Sequence, residues 1–173
     1  MNLSYMELLP KEFDATSRVW IYQCSRLFTM SEALQIEERL NEFVANWHSH
    51  GIPVKGSAQL FFGQFIVLMA DESATGVSGC STDESVRLLK KLEQEFTVKL
   101  FDRQLLAFVV DDRVELIPLS QTEYALKNQF IGPETKYFNN TVQTKAELES
   151  NWIIPLQNSW LGKKWSLGNL TAR

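Results

Sequence analysis

Three features of this sequence predict an α+β fold with antiparallel pairing. Short β-branched and aromatic runs alternate with segments whose apolar residues recur at helical spacing. One pair of runs is separated by Gly63-Gln64, short enough for a hairpin. Ser or Thr followed three positions later by Glu, the pattern of a helix capping box, stands before each helical run.

Taken in order, Arg18-Val-Trp-Ile-Tyr-Gln23 has the composition of a strand. Thr29 and Glu32 then open a helix over about 31–49, in which Ala33, Ile36, Leu40, Phe43, Val44 and Trp47 share one stripe. Gly51 and Pro53 stop it. Ala58–Phe62 and Phe65–Ala70 read as two strands, with Gly63 suited to the first central position of a type II′ turn. From Ser81 a second helix carries Val86, Leu89, Leu92 and Phe96 inside and Arg87, Lys90, Lys91, Glu93 and Glu95 outside. Leu105–Val110 and Val114–Ile117 form another hairpin across Asp111-Asp112. Two further cap patterns, Ser120…Glu123 and Thr144…Glu147, precede short helical runs that Pro133 follows and Pro155 interrupts.

The order strand, helix, strand, strand, helix, strand is that of the ferredoxin-like split β-α-β-β-α-β sandwich, here with an added fifth strand. Right-handed crossovers give the sheet order 5-4-1-3-2 with both helices on one face. The run Phe65–Ala70 is apolar on both faces, Ile66 and Leu68 against Phe65 and Val67, so the far face needs a cover. The C-terminal segment, with Phe138, Trp152, Ile153, Ile154, Trp160 and Trp165, is expected to supply it ahead of a second subunit. The expected organisation is a single domain, residues 1–173. Its core lies over about 17–118, and a helical or irregular extension over about 119–173 packs on it.

At 173 residues, 45% hydrophobic and 22% charged, the composition is that of a globular protein. A net charge of −4 argues against a nucleic-acid surface. The longest apolar run, Phe65–Ala70, is far too short to enter a bilayer as a spanning helix. Met1-Asn-Leu-Ser-Tyr-Met-Glu7 has no signal-peptide character. Two cysteines, Cys24 and Cys80, without metal spacing fit free thiols in a reducing, cytoplasmic setting. No cofactor and no metal are expected, and the chain is read as a monomer or a homodimer.

Chemistry is expected where the small-residue loop enters the second helix. There Cys80, Ser81, Thr82 and Asp83 stand beside free amides that stabilise an anion or a thiolate. The predicted topology brings His48, His50, Lys55 and Arg18 to the same end of the sheet. One reading is a binding site for a small anionic ligand or a protein partner. The other is a thiol- or acid/base-dependent enzyme with Cys80 as nucleophile and His48 and Asp83 as its helpers. Two histidines at i, i+2 make a poor metal set, and Trp20, Tyr22 and Trp47 are assigned to packing rather than to base stacking.

Nucleotide hydrolysis is the remaining class. Phe65-Ile-Val-Leu-Met-Ala-Asp-Glu72 has the form of a Walker B strand, and Gly51-Ile-Pro-Val-Lys-Gly56-Ser57 has the glycine spacing of a phosphate loop. That loop lacks the lysine after its second glycine and precedes a strand instead of a helix. Val77-Ser-Gly-Cys-Ser81 follows the acidic strand, the reverse of the order in an ABC-type ATPase.

The segments Leu9-Pro-Lys-Glu-Phe13, Arg18–Gln23, Phe61-Phe-Gly-Gln-Phe-Ile-Val67, Ser78-Gly-Cys-Ser-Thr-Asp83, Phe101-Asp-Arg103 and Tyr137-Phe-Asn-Asn140 resemble a family of small bacterial proteins of unknown function. Its members are often labelled "ABC transporter ATPase". The resemblance spans nearly the whole chain and implies no catalytic residues to carry over. The ATPase activity in the label has no complete motif here.

Overall fold

The computed structural model describes residues 1–49, 51–73 and 81–166, without the side chains at 81 and 82. The elements are β1 (Arg18–Gln23), α1 (Met30–Ala45), β2 (His48–Ser49), β3 (Ile52–Pro53), β4 (Gly56–Phe61), β5 (Phe65–Ala70), α2 (Ser81–Phe96), β6 (Leu105–Val110), β7 (Arg113–Pro118), α3 (Thr122–Lys127), β8 (Lys136–Phe138), α4 (Lys145–Asn151), β9 (Ile153–Pro155) and α5 (Trp160–Lys164). The fold is α+β with antiparallel sheets. The chain divides into two compact units: one of Leu3–Phe101 and Val142–Glu149, the other of Met1–Asn2, Asp102–Thr141 and Ser150–Arg173.

In the first unit the sheet order is β1-β5-β4, the 1-3-2 part of the expected order. Register pairs Ala70 with both Arg18 and Gly56, so the start of β1, the start of β4 and the end of β5 share one end of the sheet. The β4–β5 turn differs from expectation. Phe62 and Gly63 both have positive φ, 55° and 62°, and the Gln64 amide donates to the Phe61 carbonyl at 3.0 Å. Two left-handed central residues make this a type I′ turn with Phe62 first. Gln64 closes the turn rather than standing at its centre, and its carbonyl accepts from the Cys24 amide at 2.8 Å.

One face of this sheet, with Ala58, Ile66 and Leu68, buries against Ile36 and Leu40 of α1 and Leu89, Leu92 and Phe96 of α2. Helix α1 starts in the capping box the sequence predicts: the Glu32 amide donates to the Thr29 hydroxyl, and the Thr29 amide donates to Glu32. It ends four residues early, at Ala45, because Asn46 caps it and Trp47 turns back over Gly56. Of the other cap patterns, Thr144 caps α4 through the Glu147 amide, while Glu147 accepts from Gln143 instead of Thr144. Ser120…Glu123 forms no box, since Leu119–Gln121 is a 3-10 turn and α3 begins at Thr122.

The opposite face, with Val19, Phe61, Phe65, Val67 and Met69, is buried too. Its cover includes the N-terminal segment, which the expectation of a C-terminal cover left out. The Tyr5 ring stands edge-on to Phe61 at 6.3 Å, Gln59 donates to the Leu8 carbonyl, and the Lys55 ammonium lies 5.1 Å from the Phe13 ring. Residues 142–149 fasten that segment. Tyr5 donates to the Leu148 carbonyl at 2.6 Å, and the buried Lys145 donates to the Phe13 carbonyl at 2.9 Å.

The second unit holds the sheet β7-β6-β8-β9. The Asp111-Asp112 turn is as expected, with φ of 47° and 59°. The five-stranded ferredoxin-like pairing is not formed. Strand β6 uses both its edges, against β7 and β8, and Gln143 and Thr144 take the edge of β1 meant for it. Some of the apolar residues expected to cover the first sheet help to build this unit's own core. Ile154 and Trp165 pack with Phe108, Tyr137, Leu156 and Leu161, and Phe138 meets Trp152.

Candidate functional site

The sheet end at Ala70 collects Arg18, Lys55, Asp71 and Glu72, as the sequence predicts for the two cations. Their chemistry is that of internal pairs. Lys55, just before β4, places its ammonium 2.6 Å from Asp71 and 2.9 Å from the Glu12 carbonyl. The Asp71 side chain is only 2% exposed and also accepts from the Ser73 amide at 3.1 Å. The Lys55 hydrogen bond, with help from Ser73, holds this carboxyl far below the usual carboxylate range. Removing Lys55 would leave the buried Asp71 carboxylate without its cation.

Arg18 reaches Glu72 at 3.3 Å and lies over the Trp20 ring, 4.8 Å from its centre. Both partners are partly exposed, which puts the pair at about 0–1 kcal/mol. An anion arriving here would have to displace a carboxylate from each cation.

His48 stands exposed on β2, opposite Pro53, with its Nδ1 2.7 Å from the Asn46 carbonyl. Asp83 is an exposed residue in the first turn of α2. Ser81 and Thr82 open that helix, but their side chains, together with Cys80 and His50, lie outside the described residues. The contact between imidazole and sulfur on which the nucleophile reading depends therefore lies outside them too. The described cysteine, Cys24, is fully buried, and burial pushes its thiol up, away from reactivity. Among the described residues no group of three His, Cys, Asp or Glu side chains could hold a metal ion, and no helix is long and apolar enough to cross a membrane.

Two features were missed from the sequence. Arg26 makes a fork to Glu32, both contacts 2.8 Å, and donates to the Phe96 carbonyl at 2.8 Å. One guanidinium thus ties the start of α1 to the end of α2. A lone Arg in a loop gives no signal of such a role.

The second is the free edge of β4. The Asp71 amide donates to the Lys55 carbonyl at 2.9 Å, which makes 55 and 71 a hydrogen-bonded pair. Alternation then turns the amides and carbonyls of 57, 59 and 61 toward β5 and those of Ala58 and Leu60 outward. Among the described residues these outward groups have no partner. Beside them runs a groove of about 240 Å³, walled by Leu8 on one sheet face and by Glu37 and Asn41 of α1 on the other.

No family model, no curated protein and no solved structure matches this chain.

Proposed function

We propose that this chain is a non-enzymatic, cytoplasmic module that binds a protein partner. The observation that carries this reading is the open edge of β4, six residues long and without a charge or a proline. Sheets ordinarily blunt such edges with charge, proline or brevity. The second unit does so, with Arg113 and Glu115 along β7 and a three-residue β9 ending in Pro155. The pairing of Lys55 with Asp71 and of Arg18 with Glu72 also supports a protein partner over a small anionic ligand, since it leaves neither cation ready for an anion.

Affinity capture from bacterial extract with the full chain and with a Leu8→Glu/Leu34→Glu variant tests it. A protein retained by the wild type and lost with the variant is expected. The reading fails if both retain the same proteins. It also fails if calorimetry detects binding of ATP with Mg²⁺, or if a reporter alkylation gives Cys80 a thiol pKa well under about 8.5, the ordinary cysteine value.

A further inference from the structure

The geometry points to the occupant of the β4 edge: an extended segment of a protein partner that adds as a fourth strand, with basic side chains toward α1 and apolar side chains toward Leu8. This rests on the protein-binding reading and specifies its partner. An added strand needs unpaired donors and acceptors in a row, and Ala58 and Leu60 present them two residues apart. It also needs a wall on each side, because its side chains alternate between the two faces of the sheet.

Helix α1 walls one side. Met30, Leu34, Glu37 and Asn41 lie on a single stripe, and Glu37 and Asn41 line the groove itself. The helix runs alongside β4 in the opposite direction. Its start is tied to the β4–β5 turn by the Phe28 amide donating to the Gly63 carbonyl, and Trp47, beyond its end, lies over Gly56. The other wall is the short N-terminal turn Met6–Leu8, fastened to β4 by Gln59 and apolar toward solvent, with Leu8 61% exposed. Large exposed apolar residues gathered around one groove mark a contact surface. Leu8 lines the groove, Met30 and Leu34 continue the α1 stripe of Glu37 and Asn41, and all three are exposed.

Charge decides between occupants. Among the described residues, Glu37 is the one charged side chain lining the groove. A second copy paired edge to edge about a two-fold axis would set two α1 stripes side by side, each with a carboxylate and neither with a cation. A strand carrying Lys or Arg on that face answers the carboxylate, and apolar residues on its other face answer Leu8.

The test uses the full chain, labelled for amide NMR, and two synthetic hexapeptides, one alternating Val and Lys, the other Val and Glu. The expected result is a downfield shift of the Ala58 and Leu60 amides with the Lys peptide. Binding should be roughly five-fold or more tighter than for the Glu peptide, the size a partly exposed charge gives. Glu37→Lys, an exposed change, should erase or invert the preference. Methylating the peptide's alternate backbone nitrogens should abolish binding. Silence of both amides overturns the inference, as does equal binding of the two peptides. Shifts that appear on concentrating the protein alone assign the edge to a second copy and overturn it as well. If extract capture succeeds while these amides stay silent, only this inference falls; if capture fails, the reading beneath it falls.

Discussion

Lys55→Met isolates the question of whether this lysine holds the fold or waits for a ligand. Its partner Asp71 is buried, so the substitution strands a carboxylate that keeps the Ser73 amide but loses its cation. Losing one member of a fully buried pair costs about 3–5 kcal/mol, and a hydrogen bond to a charged group about 1.5–3 kcal/mol. The lysine side chain is 45% exposed, which pulls the expected cost down to about 2 kcal/mol. The sign of the pH dependence follows from the depressed carboxyl. Its contribution is fully present above the unfolded value of 3.8 and is lost progressively as pH falls from there through the much lower folded value. Urea unfolding of wild type and variant, followed by tryptophan fluorescence at neutral pH and again near pH 2.5, measures the difference. It should be about 2 kcal/mol at neutral pH and shrink strongly in acid. Lys55→Met/Asp71→Asn should recover part of the loss at neutral pH. A neutral-pH difference under about 0.5 kcal/mol, or one that acid leaves unchanged, refutes the staple and returns Lys55 to the list of free cations.

Gly56→Ala should destabilise by about 1–3 kcal/mol, because the new methyl would stand 2.7 Å from Cζ3 of the buried Trp47 ring. A double-mutant cycle with Trp47→Leu should show the two changes strongly coupled in urea unfolding. Thr97→Gly should stabilise by about 0.5–1 kcal/mol. This exposed β-branched residue sits at φ 52° just past α2, where the left-handed strain exceeds the added chain entropy of glycine. Glu32, held at about 2 by Arg26 and the Thr29 amide, should titrate there by NMR and move back toward 4.5 in Arg26→Met. Its contribution to the start of α1 is present above 4.5 and lost as pH falls toward 2. Tyr5, pushed up to about 12 by burial and the nearby Glu149 charge, favours the fold below pH 10. That contribution disappears between 10 and 12, so Tyr5→Phe should flatten alkaline unfolding over that interval.

Local signals in the sequence were read well where one segment suffices. Thr29 and Glu32 form their box, Asp111-Asp112 forms its turn, and α2 begins at Ser81. Pairing between distant segments was read less well, because it depends on which strand finds which edge. Strands β8 and β9 have three residues each, too few for alternation to show. Without them the element order alone places β6 beside β1. Leu9 and Phe13 carry no period at all, yet they are buried with Tyr5 in the cover of the second sheet face. At the candidate site, sequence order placed Arg18 and Lys55 correctly at one sheet end. It could not show that Asp71 and Glu72, the residues that gave that strand its Walker-like ending, are the partners of those cations.

The bond from Tyr5 to Leu148 joins positions 143 residues apart. A chain emerging from the ribosome therefore presents its first sheet with one side unfastened until residue 148 has been made. Cutting the gene anywhere between the two β-hairpins and residue 149 would remove that clasp, so a shortened version of the first unit should emerge sticky rather than merely smaller.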